Sequence, residues 1–228
     1  LAQPHPGSPI ARAFAPAQAG DAIARLKRDL GPGPFSLVML FISPEADLAR
    51  IAREAQDALP ADQVVGCTTA GEISQQGYDQ DSIVAFGFAQ SDFAAQCLVV
   101  PDLNSISRQQ LTQDVLQARQ RLAIEHHGLA HEFAILLVDG MSVREDELAA
   151  ALAVGAGAMP LVGGSAGDGI RFRETWLLHG RALMRNAALL CVLRAKGPVR
   201  AINIDHLEPT ELRMVVTRAD PASRTVQC

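Results

Sequence analysis

The most unusual segment of the chain is the glycine-rich run at residues 162–169, Val-Gly-Gly-Ser-Ala-Gly-Asp-Gly. Glycine at four of these eight positions allows positive φ angles, which turn backbone N–H groups toward one point. Ser165 and Asp168 add a hydroxyl and a carboxylate. Such a loop predicts a pocket for a small polar ligand, although glycine loops at strand ends also serve packing alone.

A second segment at residues 65–72, Val-Gly-Cys-Thr-Thr-Ala-Gly-Glu, has the pattern of residues 162–168 with one additional residue. Neither segment ends in the Gly-Lys-Ser/Thr of a phosphate-binding P-loop, so a nucleotide is not the expected ligand. The two segments together define the predicted pocket. Its residues are Cys67, Thr68, Thr69, Glu72, Gly163, Gly164, Ser165, Gly167 and Asp168.

Cys67 and Ser165 are also candidate nucleophiles, with a carboxylate at Glu72, Asp139 or Asp168 to assist them. An activated nucleophile needs a base within hydrogen-bond reach and a further group that orients the base. No histidine stands in either glycine segment. A hydrolase is therefore the least favoured hypothesis, and we expect a binding protein rather than an enzyme.

His206 stands at the end of a predicted strand and precedes Leu-Glu-Pro-Thr. An imidazole in that position can offer a nitrogen to iron in a pocket. A single histidine is, however, more often an ordinary interior or edge residue. His206 is therefore a candidate metal ligand with a structural alternative.

Apolar patterns and helix breakers predict the elements that position these residues. Residues 1–19, rich in Pro, Ala and Gly, are expected to form an irregular arm. The predicted helices cover residues 22–30, 44–59, 105–125 and 144–158. The predicted strands cover residues 35–42, 63–67, 82–89, 93–100, 133–138, 186–195 and 199–204, with a hairpin at 174–184.

The order strand, helix, strand, strand, strand occurs twice, at about residues 35–100 and 133–204. Each unit is too small to bury a sheet alone. We therefore expect an α/β (α+β) protein with two sheets face to face and helices outside, a pseudo-symmetric αββα sandwich. A single mixed sheet with helices on both faces is the alternative. In the sandwich, the equivalent glycine loops are neighbours near the pseudo-twofold axis.

The composition of the chain narrows the classes of partner. A net charge of −5 with scattered basic residues argues against nucleic acid. No apolar run is long enough to span a membrane. The four cysteines lack the spacing of a zinc cluster, and free thiols beside apolar runs suit a reducing cytoplasm.

The segments at residues 65–73, 163–168 and 215–220 resemble the FIST family of bacterial sensory proteins. The resemblance implies an N-terminal FIST domain over residues 20–210, with residues 211–228 as the start of a C-terminal FIST domain. It also implies a cytoplasmic sensory domain whose partner is a histidine kinase, or a diguanylate cyclase or phosphodiesterase. Whether the protein forms a homo-oligomer stays open.

The segment at residues 205–210 resembles the His-x-x-Pro-Thr passage of the NosP-type branch, whose members bind haem and sense nitric oxide. This resemblance implies haem b, with His206 as an axial ligand of the iron, and nitric oxide as the signal. Small ligands such as amino acids are suggested for the family at large. A non-haem pocket for a small polar metabolite is therefore the alternative function.

Overall fold

The computed structural model describes residues 8–74, 77–202, 207–220 and 225–227. The α-helices in these ranges are α1 (Ala22–Leu30), α2 (Leu48–Ala58), α3 (Arg108–Glu125) and α4 (Glu145–Ala156). The strands are β1 (Ile10–Pro16), β2 (Phe35–Ile42), β3 (Val64–Thr68), β4 (Glu72–Ser74), β5 (Gly77–Asp79), β6 (Ser82–Ala89), β7 (Phe93–Val100), β8 (His131–Val138), β9 (Leu161–Ser165), β10 (Leu177–His179), β11 (Ala182–Met184), β12 (Ala188–Ala195), β13 (Arg218–Asp220) and β14 (Thr225–Gln227).

Two sheets form the centre of the molecule. The first has the strand order β1-β6-β2-β3-β10-β11, and the second has the order β7-β12-β8-β9. The pairs β2–β3 and β8–β9 are parallel, and the other neighbours in the two sheets are antiparallel. Helices α1 and α2 pack on the outer face of the first sheet, and α3 and α4 pack on that of the second. The predicted αββα sandwich is confirmed.

Alternation along the central strands divides the core into three layers. In β2, Val38 and Leu40 face helices α1 and α2, whereas Leu37 and Met39 face the other sheet. The two-sided burial explains why β2 and β12 are almost continuously apolar in sequence.

The prediction of an irregular N-terminal arm is wrong for Ile10–Pro16, which form β1. This strand pairs with β6 over its whole length, from Ile10 opposite Phe88 to Pro16 opposite Ser82. Alanine and proline have low intrinsic strand preference, so the pairing and the burial of Ala13 and Ala15 stabilise β1 rather than its own composition.

The position of β1 also moves the boundaries of the internal repeat. β7, which the sequence placed in the first repeat, pairs with β12 from Phe93 to Val100, as β1 pairs with β6. The structural units are therefore β1–β6 and β7–β12. The prediction of a strand over residues 199–204 is wrong for residues 199–202, because β7 already occupies that side of β12, and residues 203 and 204 lie outside the described residues.

The described residues that follow position 206 are solvent-exposed and include a short hairpin of β13 and β14. Within the described part of the chain, no helix combines the length and the hydropathy needed to cross a membrane.

Candidate functional site

The two glycine loops occupy equivalent places in the two units. A Cβ atom on Gly66 would lie 2.5 Å from the carbonyl oxygen of Leu40, and one on Gly163 would lie 1.9 Å from that of Leu136. Each glycine therefore lets β3 or β9 approach the strand beside it closely. The alignment of the two loops from sequence agrees with this geometry.

The two loops are neighbours, as predicted. The Gly167 N–H donates to the Thr68 carbonyl oxygen at 2.9 Å, and the Gly169 N–H donates to that of Thr69 at 3.2 Å. A Cβ atom on Gly167 would lie 2.8 Å from the Ala70 nitrogen, so only glycine fits this contact without a shift. These bonds join the two units of the sandwich at one end of β3.

Glu72 is buried, and its carboxylate is held inside the first loop. It accepts hydrogen bonds from the Ser82 backbone N–H at 3.3 Å and the Ser82 hydroxyl at 3.2 Å, and from the Thr69 hydroxyl. The carboxylate therefore fastens the loop to the start of β6, and it does not face the pocket described below.

Asp168 organises the second loop. Its carboxylate accepts hydrogen bonds from the backbone N–H groups of Phe172, Arg173 and Glu174 at 2.9, 2.7 and 3.1 Å. Burial raises the pKa of Asp168, but these three amides and the nearby Arg171 guanidinium lower it by more, so the pKa lies below its ordinary value. The carboxylate thus stays charged and fixes the course of residues 168–174.

Thr68 connects the end of β3 to Trp176. The Thr68 N–H donates to the Trp176 carbonyl oxygen at 2.9 Å, and the Trp176 N–H donates to the Thr68 hydroxyl oxygen at 3.0 Å. Thr68 is almost fully buried, so these bonds form away from bulk water. They hold the Trp176 backbone beside the pocket.

A pocket of about 400 Å³ opens where the two units meet. Its lining residues are Pro44, Leu48, Thr68, Asp168, Arg171, Arg173, Glu174 and Trp176. The first unit contributes the end of β3 and the approach to α2, and the second contributes the long segment between β9 and β10. The volume lies near the lower end of the range for small-molecule sites.

Two of the three arginines at the pocket form ion pairs, and the third does not. Arg171 forms an ion pair with Glu45. Arg185 forms an ion pair with Glu174 at 3.1 Å and lies over the Trp176 ring, 5.3 Å from its centre. Among the described residues, the Arg173 guanidinium has no hydrogen-bond or ion-pair partner. It is therefore the cation in the lining that is free to bind an anionic group.

Of the residues predicted for the pocket, Thr68 and Asp168 line it. Thr69, Glu72 and Gly167 hold the loops in place instead, and Cys67 lies in the core between the sheets. The remaining predicted residues, Gly163, Gly164 and Ser165, are exposed on the outer edge of β9.

Sequence reasoning missed the residues that give the pocket its chemistry, namely Arg171, Arg173, Glu174 and Trp176. A signal was present, because the single tryptophan of the chain stands within a few residues of two arginines, directly after the glycine loop. Such a mixture of aromatic and charged residues is typical of ligand sites.

The candidate nucleophiles lie in unsuitable surroundings. Burial raises the pKa of the Cys67 thiol to about 12, so its reactive thiolate is scarce at neutral pH. Residues 163–167, Gly-Gly-Ser-Ala-Gly, have the spacing of a G-x-S-x-G elbow. In that motif the serine stands between a strand and a helix, whereas Ser165 ends β9 and precedes a loop bonded to Thr68. The Ser165 hydroxyl contacts a Glu145 carboxylate oxygen at 3.3 Å.

His206, the candidate iron ligand, lies outside the described residues. In the described part of the chain, no group of three or more His, Cys, Asp or Glu side chains is placed to hold a metal ion. His179 is the last residue of β10 and is partly buried. Burial lowers the pKa of His179, which keeps its imidazole neutral.

Comparison with protein families gives one clear result. The model of the FIST N domain matches residues 36–227, which is most of the chain. A comparison with curated proteins found no match.

Proposed function

The chain belongs to the FIST N domain family, a family of sensory domains in signal-transduction proteins, and we propose that this member senses a small polar metabolite bound in the Trp176 pocket. The observation that carries the proposal is the unpaired Arg173 guanidinium in a pocket that Trp176 also lines and that both units of the sandwich build. The family is one of ligand-binding sensors rather than of catalysts.

The lining favours a ligand that carries a carboxylate and a small apolar part. A carboxylate can form a bidentate pair with Arg173. The Trp176 ring and Leu48 provide apolar surface, while the charged Asp168 carboxylate favours an ammonium group nearby. An α-amino acid combines these three groups within the size that the pocket accepts.

Binding in this place suits a sensor because the pocket spans two structural units. The ligand would contact Leu48 in the first unit and Arg173 in the second. It would therefore stabilise the arrangement in which residues 168–176 lie against Thr68, and shift the population toward that arrangement. In our proposal, a histidine kinase or a cyclic-di-GMP enzyme responds to this shift.

Thermal unfolding in the presence of single amino acids and small carboxylic acids tests the proposal. A ligand at about a hundred times its Kd adds about 2.7 kcal/mol to the free energy of unfolding, which raises the Tm by about 5–10 °C. Arg173→Gln removes the free cation, and Arg53→Gln, at an exposed position on α2, is the matched control. Stabilisation should survive in the control and disappear in Arg173→Gln. Equal stabilisation of both variants, or none of the wild type across the panel, would contradict the proposal.

Haem binding with nitric oxide as the signal is the second candidate, supported by the resemblance around His206. The described pocket does not fit a haem, because its lining contains no His, Cys, Met or Tyr side chain to coordinate iron. The haem hypothesis therefore depends on His206 alone. Absorption spectra of the wild type and of His206→Ala, with haem supplied, test it. A Soret band that the substitution leaves unchanged would rule out His206 as the ligand.

A further inference from the structure

Two cysteines of the second unit face each other across neighbouring strands. Cys97 on β7 and Cys191 on β12 are directly opposite in the strand register. Both thiols are free, and their Sγ atoms are 2.8 Å apart. Both side chains point into the core between the sheets.

The backbone around this pair shows which kind of register position it occupies. The Cys97 N–H donates to the Gln63 side-chain oxygen at 3.1 Å, and the Ala95 carbonyl oxygen accepts from the Gln63 side-chain nitrogen at 3.0 Å. Both backbone groups therefore point away from β12. Cys97 and Cys191 consequently form a non-hydrogen-bonded pair, the position at which opposite Cα atoms come within about 4.5 Å and side chains lie closest.

That separation lies within the range that a disulfide bridges without backbone movement. The pair belongs to neither the Trp176 pocket nor a metal site, since the described residues contain no group of three metal-binding side chains. The geometry therefore suits the oxidation of the two thiols to a disulfide.

We propose that Cys97 and Cys191 are a redox modification site, which a peroxide converts to a disulfide and a dithiol reductant restores. Cys97 is the more exposed of the two, so its sulfur attacks the peroxide first. The O–O bond breaks, water leaves, and a sulfenic acid forms on Cys97. The Cys191 sulfur then attacks the Cys97 sulfur, the S–O bond breaks, and a second water leaves with the remaining thiol proton. Two thiols and one hydrogen peroxide give one disulfide and two waters.

The surroundings of the pair set the rate of this reaction. The contact with Cys191 and burial both raise the pKa of Cys97 well above its ordinary value, so little thiolate is present at neutral pH. Oxidation is therefore slow and follows sustained rather than brief exposure to peroxide.

The disulfide has a large effect on the second unit because of where it lies in the chain. It joins the edge strand β7 to the central strand β12 and closes a loop that contains α3, β8, α4, β9, β10 and β11. A loop of this length strongly restricts the unfolded chain, so the Tm should rise by about 10 °C on oxidation.

The test is peroxide treatment of the full chain, followed by peptide mapping without reduction. The expected product is an intramolecular Cys97–Cys191 link, with a mass loss of two hydrogen atoms that a dithiol reverses. Cys67→Ser and Cys228→Ser should keep this mass loss and the rise in Tm, whereas Cys97→Ser and Cys191→Ser should lack both. The mapping of the wild type needs no variant to fold.

The proposal is overturned if the two thiols remain open to alkylation in the denatured protein after sustained exposure. It is also overturned if the main product links Cys67 or Cys228, joins two chains, or is a sulfinic acid on Cys97.

Discussion

β3 and β9 have the same place in their units and opposite surroundings. β3 is buried and pairs with β2 on one side and β10 on the other, whereas β9 pairs with β8 alone and is largely exposed. The strand that covers β3 comes from the second unit, after a loop at residues 166–176. The first unit has only residues 69–71 between β3 and its own hairpin, β4–β5, which is too short to reach β9.

The difference shows where the candidate site originates. Most of the pocket's charged and aromatic residues lie in residues 166–176, the part of the second unit without a counterpart in the first. The loop geometry that the two units share brings them together. Residues 166–176, which only the second unit has, supply the charged and aromatic side chains of the pocket.

The largest expected effect on the free energy of unfolding comes from alanine at the two equivalent glycines, Gly66 and Gly163. Both methyl groups would meet a leucine carbonyl oxygen, and the approach at Gly163 is closer and has a φ of +152°. β3 is held on both sides, while β9 can move outward from its open edge. Outward movement relieves the close approach at Gly163 but not the strain of its positive φ, so we expect a loss of about 3 kcal/mol in the free energy of unfolding for Gly66→Ala and about 2 kcal/mol for Gly163→Ala.

Urea unfolding measures both losses, and Gly164→Ala is the control, because a Cβ there would meet nothing within 4 Å. A greater loss at Gly163 than at Gly66 would show that β9 is held as firmly as β3.

The next comparison uses the equivalent hydroxyls of Thr68 and Ser165. Thr68→Val keeps the shape but leaves the buried Trp176 N–H without its acceptor, which should cost about 2 kcal/mol of unfolding free energy. Ser165→Ala alters an exposed residue and should change it by less than about 0.5 kcal/mol. Chemical denaturation gives both values, and similar losses at the two positions would break the comparison.

The smallest expected effect is the contribution of Asp168 to the pH dependence of the Tm. Because its pKa is lower in the folded protein, the carboxylate stabilises the fold above its ordinary pKa, and this contribution is lost as the pH falls through the folded value. The Tm of the wild type should therefore fall more steeply below about pH 4 than that of Asp168→Asn. Parallel curves for the two proteins would mean that the three amides do not stabilise the charged form.

The sequence predicts the central elements well because their signals are local. The apolar runs of β2 and β12 and the helix stripes of α1 and α2 reveal their burial directly. β1 could not be found in this way, because its partner β6 lies far along the chain and determines its conformation. The start of α2 was placed too early although its signal is local, since the Asp47 side chain caps the helix by accepting from the Arg50 N–H at 3.0 Å.

The candidate site also contains some residues that the sequence reveals locally and others that only the fold reveals. The glycines at 66, 163 and 167 were recognisable, because close backbone approach requires that residue type. Arg173 and Trp176 carried only a signal of composition, since only the folded chain shows that residues 168–176 turn back onto β3. The polar groups of Glu72 looked like ligand contacts in sequence, yet hydrogen bonds within the loop occupy them.

The most direct test of the central claim, one ligand joining both units, is amide hydrogen exchange with and without a mixture of the twenty amino acids. Our account predicts slower exchange at residues 172–174 in the second unit and at residues 68–69 in the first, with no change at Gly163 and Ser165 on the open edge of β9. Unchanged exchange at residues 172–174, or protection confined to β9, would contradict it.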